Sequence, residues 1–357
     1  MERKTFITLL VMFVCLSWGF SMTAMAQTQD PAKLWLRVGP NKLLDTPEIM
    51  GEMDKARELA GDDHSFLTLQ RLQCNDIDDT YTVVGPPGVN MGGVTGWHEV
   101  SAVPTKVFDN VYYVGGIEVG GWLIDTGDGY IMLDAGYDYA YEAILKPNIE
   151  ALGLDYKKVK YILITHAGPD HVGAAKKFQG ELGAANLRVI YDSTISGITV
   201  TLKGDGDTLT LGDTTITIVK TPRTAGGSGL SYLIPVKIHG KRHMWATFGN
   251  TGLPASLSDK KDVYRPSMAH FLEAVDNLGA DIAISSHPFV DASLDRMKMI
   301  RECNDPRNRN DLCGPHNPFL IGEKAARRYF EIVDQCAVVQ IKRQEAGLDN
   351  TGLKPLP

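Results

Sequence analysis

From about residue 100 the chain alternates short apolar runs with amphipathic stretches, separated by turn residues. Residues 111–115, 122–125 and 130–134 are brief apolar segments, and Gly127-Asp128-Gly129 between the last two is a tight-turn signal. Residues 161–164, Tyr-Ile-Leu-Ile, form an apolar run bounded by charge, which predicts a buried strand. Val172, Ala175, Phe178 and Leu182 then fall at helical spacing. The same reading predicts strands over 188–191, 214–219, 230–236, 243–248 and 281–286, with helices over 139–152, around 267–278 and from 314 to about 344. Pro147 marks a kink or a break in the first of these helices. Strands and helices alternate without an internal repeat, which is the pattern of an α/β domain.

The amino-terminal part reads differently. Residues 1–26 open with Arg3 and Lys4, continue through an apolar core over 6–20 and end Ala24-Met25-Ala26 before Gln27, the layout of a cleaved secretory signal peptide. The alternative is an uncleaved anchor, but the apolar run is shorter than the roughly 20 residues a span needs. Within 27–100 a helix is expected over 48–59 and a short element over 67–72, ending near Cys74. Gly85-Pro86-Pro87-Gly88 and Gly92-Gly93 then break any regular pattern. This stretch is expected to be an extension packed on a domain spanning 101–302; the alternative is a leader without a functional role. Residues 303–357 form a carboxy-terminal extension with a long helix.

A chain of 357 residues with 43% hydrophobic content has enough apolar material for one large α/β domain with additions, or for two modest domains, and a disordered reading is excluded. The formal charge of −7, with no run of lysine or arginine, argues against nucleic acid or an anionic membrane surface as partner and leaves a small-molecule substrate. Export changes how the cysteines read. Removing the signal peptide, which contains Cys15, leaves Cys74, Cys303, Cys313 and Cys336, and in an oxidising compartment these allow three disulfide pairings. Cys303 with Cys313 is favoured because the Asn/Asp/Arg/Pro run between them is a loop, which leaves Cys74 to meet Cys336. None of the spacings is that of a zinc knuckle or a redox Cys-x-x-Cys.

The chemistry gathers where the 161–164 strand ends. His166-Ala167-Gly168-Pro169-Asp170-His171 places two imidazoles and a carboxylate within six residues, between strand and helix, where Gly168 and Pro169 force an irregular loop. These residue types form a zinc-binding group. Residues 281–287 repeat the arrangement, an apolar strand delivering His287 into a loop.

The 166–171 segment resembles the His-x-His-x-Asp-His signature of the metallo-β-lactamase superfamily. Residues 110–116, NVYYVGG, and 121–136, GWLIDTGDGYIMLDAG, resemble its opening strands, most of all those of the third subclass of class B β-lactamases. The resemblance implies an αββα sandwich, two mixed sheets packed face to face with helices outside. It also implies a zinc site at Asp170, His171 and His287, with Asp134 supporting the metal loop from below. The departures fall on the other site. Gly168 stands where the family has its second histidine. In Thr221-Pro222-Arg223-Thr224-Ala225-Gly226-Gly227-Ser228, Thr224 stands where the family's Thr-Pro-Gly-His-Thr-Pro-Gly-Ser has its third. The first site keeps only His166.

The surviving set is coherent by its own chemistry. Two neutral imidazoles and a carboxylate leave zinc near +1 with an open position, as in catalytic sites, and a water there has its pKa lowered to about 7. Asp170 and His166 are the candidate catalytic residues, His166 orienting that water or moving its proton. Arg223 is a candidate for holding a substrate carboxylate, or else turns to solvent, and Thr224 beside it is too weak a ligand to replace histidine. His98, His239, His243 and His316 are the histidines left that could repair the first site. Three readings follow: a single-zinc hydrolase of an amide or ester, β-lactam or lactone-like; an inactive or metal-free binding protein on the same fold; and a two-metal hydrolase with a replacement ligand.

Overall fold

The apolar runs between residues 105 and 202 assemble into one sheet. In the computed structural model, which describes residues 45–76, 100–305 and 316–348, β1 (Thr105–Phe108), β2 (Val111–Tyr113), β3 (Trp122–Asp125) and β4 (Tyr130–Leu133) form an antiparallel meander. The β3–β4 turn uses left-handed backbone at Gly127 and Gly129, where Cβ-bearing residues are disfavoured, and the Asp125 carboxylate accepts the Gly127 N–H. The sheet then continues in parallel through β5 (Val159–Leu163), β6 (Arg188–Tyr191) and β7 (Val200–Leu202). The second sheet runs β8 (Thr208–Leu211), β9 (Thr214–Lys220), β10 (Leu230–Ile238) and β11 (Lys241–Thr247), all antiparallel, and ends on β12 (Ile282–Ala283), parallel to β11.

The two sheets face each other. Trp122 of β3 meets Trp245 of β11 with ring centroids 5.1 Å apart, and the Tyr232 hydroxyl of β10 donates to the carbonyl of Ile164, just past β5. Helices lie outside: α1 (Pro47–Ala60), α2 (His64–Cys74), α3 (Lys146–Ala151), α4 (Pro169–Val172), α5 (Ala175–Leu182), α6 (Arg265–Asn277), α7 (Ser293–Asn304) and α8 (Glu323–Glu345). The expected α/β sandwich is thus the observed one.

Differences from the pattern have local causes. The expected 139–152 helix is a wide π-type turn, Tyr141–Leu145, leading into α3. Pro147 removes an N–H donor and its ring crowds the preceding turn, so the helix widens upstream of it. Pro266 does the same at the start of α6, after a π-type turn at Lys260–Tyr264. The expected 281–286 strand pairs only at Ile282 and Ala283, because the Ser285 N–H is taken by the Asp291 carboxylate rather than by a neighbouring strand. The long carboxy-terminal helix begins at Glu323 instead of 314: Ile321 and Gly322 give their N–H groups to the Asp281 carbonyl, and Gly322 has a positive φ, so the chain before α8 is extended and anchored to the second sheet. The two edge-region strands β7 and β8 are rich in threonine and largely uncovered, so they lack the apolar signal of the others.

Ile49, Met53, Ala56, Phe66 and Leu69 of α1 and α2 are buried in one cluster with Tyr329, Val333 and Ala337 of α8, Phe271 of α6 and Leu233 of β10. Arg343 of α8, 1% exposed, binds the Asp45 carboxylate through two nitrogens at 2.8 and 2.7 Å and the Cys74 carbonyl through a third. Cys74 and Cys336 are joined in a disulfide, as expected. Cys303 is also disulfide-bonded; Cys313 lies outside the described residues, as do His98 and the expected signal peptide.

Candidate metal centre

Strand β5 and the helical turn α4 deliver three of the donors. After Leu163 the chain passes Thr165, fully buried, to His166; Pro169 opens α4, where its missing N–H costs nothing. Helix α4 sits hard against the loop after β4. The Ala135 N–H donates to the His171 carbonyl, and a Cβ at Gly173 would lie 2.2 Å from the Asp138 backbone nitrogen, so only glycine permits this approach.

Asp134 fixes the segment from below. It is 1% exposed and holds a left-handed backbone, φ 54°. Its carboxylate accepts from Thr165 N at 2.9 Å, from Thr165 Oγ1 at 2.8 Å and from His171 Nδ1 at 2.7 Å. It therefore orients His171 from the far side of the ring, the supporting role the resemblance implied.

The other two imidazoles are held in the same sense. His166 Nδ1 lies 3.1 Å from the Gly249 carbonyl, and His287 Nδ1 lies 3.0 Å from the Glu118 carbonyl. Each Nδ1–H thus has an oxygen acceptor, leaving each Nε2 lone pair for the centre. His171 Nε2 is 3.3 Å from His287 Nε2 and 3.2 Å from Asp170 Oδ2, and His287 Nε2 is 3.9 Å from Asp170 Oδ2. Donors about 2.0–2.1 Å from one tetrahedral zinc stand roughly 3.3–3.4 Å apart, so two of these separations fit and the third is wider. The ligand atoms of His166, Asp170 and His171 also lie within 4.8 Å of one another. His166 thus belongs to the same cluster, its ring centroid 3.9 Å from that of His171.

The electrostatics agree with the geometry. Burial and the neighbouring His171 hold His166 well below the usual imidazole range and bring His287 down to about 4, so both are neutral bases. Burial works against charge on His171, but the Asp134 and Asp170 carboxylates outweigh it and push His171 up to about 10. For Asp170 burial also opposes charge; the hydrogen bond to His171 and the surrounding imidazoles keep its carboxyl below the usual carboxylate range. Two carboxylates thus gather one positive charge at His171. A divalent cation displacing that proton meets the same field.

The positions where the resemblance marks a loss are also placed. A Cβ at Gly168 would lie 2.5 Å from Asp170 Oδ1 and 3.0 Å from His166 Nε2, so residue 168 faces the space between them. Thr224 begins a turn closed by Gly227 N–H to its carbonyl, and its hydroxyl lies over Gly227. Arg223 is half-buried, its Nη1 is 3.5 Å from the Gly252 carbonyl, and its charge contributes to lowering the proton affinity of His166. Of the remaining histidines, His239 forms the β10–β11 turn with φ 50°, and His243 binds Asp281 Oδ2 at 2.6 Å through Nδ1. Among the described residues no other group of His, Cys, Asp or Glu ligand atoms gathers in this way. The carbonyls of Glu118 and Gly249 were beyond sequence reasoning, since a backbone acceptor leaves no mark on residue identity.

Residues 121–229 match the sequence profile of the metallo-beta-lactamase superfamily. Among solved structures, the chain is similar to the native FEZ-1 metallo-beta-lactamase from Legionella gormanii, with 20% identity and TM-score 0.56 over 70% of this chain and 100% of that one. It is similar to BJP-1, a subclass B3 metallo-beta-lactamase of Bradyrhizobium japonicum, with 22% identity and TM-score 0.54 over 70% and 97%. A third is LRA-12, a class B3 di-zinc metallo-beta-lactamase from an Alaskan soil metagenome, with 22% identity and TM-score 0.52 over 72% and 98%. Residues 121–229, from β3 to β9, thus carry the superfamily's sequence pattern, and the chain carries the metallo-β-lactamase fold.

Proposed function

We propose that the protein is an exported, zinc-dependent hydrolase of an amide or ester bond, β-lactam or lactone-like, with one ion held by Asp170, His171 and His287. The observation that carries the proposal is the convergence of Nε2 of His171, Nε2 of His287 and Oδ2 of Asp170, with the Nδ1 of both rings committed to oxygen acceptors on the far side. A zinc ion bound there supplies Lewis acidity toward a carbonyl oxygen and lowers the pKa of a water to about 7. The protein's own groups do the rest. Asp134 keeps the His171 ring in one tautomer and one orientation. His166 Nε2, neutral and beside the Asp170 carboxylate, can accept a proton from the attacking water and return it to the leaving group. Arg223 supplies a fixed positive charge on the His166 side, suited to a substrate carboxylate. Export rests on the layout of residues 1–26, and among the described residues no helix is long and apolar enough to cross a membrane.

The test is zinc content by mass spectrometry on protein purified without chelator, followed by nitrocefin and a panel of lactone esters. The expected result is about one zinc per chain and turnover of at least one substrate, lost with the ion in Asp170→Ala. A folded protein that stays empty under zinc saturation would overturn the reading. The second reading, a binding protein on the same fold, is favoured by the glycine at 168 and by the Thr224 hydroxyl lying over Gly227; it predicts that Asp170→Ala leaves ligand binding intact.

A further inference from the structure

His287 is the one donor that does not come from the 166–171 segment, and no sheet holds it. Strand β12 ends at Ala283, and after Ile284 donates to the Ala246 carbonyl the chain leaves the sheet for an irregular loop that ends at α7. Something other than strand pairing must fix that loop to within the few tenths of an ångström that ion coordination requires.

The candidate is Asp291. Its side chain is completely buried, an expensive place for a carboxylate unless its lone pairs are filled. Oδ2 accepts from Ser285 N at 2.8 Å and from the Tyr329 hydroxyl at 3.2 Å; Oδ1 accepts from Ser293 N at 3.1 Å and Ser293 Oγ at 2.5 Å. One carboxylate thus ties the start of the loop to its end and both to helix α8. The next residue, Ala292, is held in the left-handed region at φ 56°, a conformation that crowds its Cβ and must be imposed by its surroundings.

From Asp291 the contacts run directly to the imidazole. Ser285, whose N–H Asp291 holds, accepts the His287 N–H on its Oγ at 3.1 Å, and that hydroxyl also meets Thr251 Oγ1 at 3.2 Å. The Ser286 carbonyl takes the Gly120 N–H at 2.7 Å, which docks the loop on the 115–121 segment where the Glu118 carbonyl receives His287 Nδ1. A loop held at Ser285 and Ser293 fixes both the position of the His287 backbone and the distance from its ring to Glu118.

We propose that Asp291, braced by Tyr329, is the positioning residue for His287: it sets the ring so that Nδ1–H meets the Glu118 carbonyl and Nε2 faces Asp170 and His171. The consequence for ion affinity rests on the single-ion reading above, whereas the consequence for the ring does not.

The experiment uses the full mature chain with Asp291→Asn and Tyr329→Phe. In chelator-treated protein, long-range nitrogen–proton correlation spectra report the His287 tautomer; zinc affinity is measured separately by chelator competition, and melting temperature serves as the control for folding. Wild type is expected to show one neutral Nδ1–H tautomer. Both variants are expected to mix tautomers and to bind zinc about 10–100-fold more weakly, the usual effect of removing a group that orients a ligand. If Asp291→Asn does not fold, Tyr329→Phe decides alone, since it removes a single hydroxyl. Variants that melt earlier yet keep the wild-type tautomer and affinity would make Asp291 a brace for stability only, and the proposal would fall. A wild type that takes up no zinc would sink the single-ion reading, while the tautomer measurement would still decide the role of Asp291.

Discussion

At residues 168 and 224 a glycine and a threonine stand where the resemblance places two histidines, and the single-ion proposal rests on those two positions. A Cβ at 168 would sit 2.5 Å from Asp170 Oδ1 and 3.0 Å from His166 Nε2, so a histidine at 168 would project between these two residues. Asp170 can yield, because the crowded atom is a carboxylate oxygen rather than backbone. The double change Gly168→His and Thr224→His is expected to raise zinc content from one to two per chain, measured by mass spectrometry. Unchanged content would show that these two loops do not correspond to the family's first-site loops. The candidate side chains were legible in the sequence because their identity is their chemistry: His166, Asp170 and His171 gather, and His287 Nε2 lies 3.3 Å from that of His171. Their orientation was not legible. It depends on the carbonyls of Glu118 and Gly249, which any residue would offer, and on Asp291, whose spacing from His287 resembles no ligand pattern.

Helix α4 carries two of the donors in four residues, too short to hold a position by its own hydrogen bonds. Its placement comes from contact with the loop after β4. At Gly173 an added Cβ would meet Asp138 N at 2.2 Å, the Tyr137 carbonyl carbon at 2.5 Å and Pro169 O at 2.6 Å, all backbone atoms that cannot step aside cheaply. Gly173→Ala is therefore expected to push α4 off this loop. It should cost about 1–3 kcal/mol in urea unfolding and weaken zinc binding at the same time, because the Asp134–His171 bond spans the same gap. Wild-type values for both would contradict the close approach. Elements with β-branched or apolar runs were legible, β6 at its very ends, because a buried strand leaves a continuous signal. What failed were boundaries set by tertiary hydrogen bonds: β12 stops where Asp291 captures Ser285, and α8 starts late where Asp281 captures Ile321 and Gly322.

On the scale of the whole molecule, helices α1 and α2 close against α8. The pattern made 27–100 the hardest stretch to read, since α1 and α2 have apolar stripes but nothing local to say what covers them. The cover is α8, nearly the whole chain away in sequence, through Phe66 against Tyr329, Arg343 on Asp45, and the Cys74–Cys336 disulfide. That cross-link closes a segment of 262 residues, so it removes much freedom from the unfolded chain, and native disulfides of this kind are worth about 2–5 kcal/mol. Replacing both cysteines with alanine is expected to lower the melting temperature by roughly 3–8 °C. The loss should be uneven. The buried cluster of α1 and α2 depends on α8, whereas β3 to β6 are held by their own sheet. Amide hydrogen exchange should therefore speed up first over 47–74 and leave 122–191 unchanged, with zinc content as in wild type under the single-ion proposal, because none of the proposed donors lies on α1 or α2. Equal acceleration in both regions would mean that the amino-terminal helices and the sandwich unfold as a single cooperative unit, with the disulfide stabilising all of it at once.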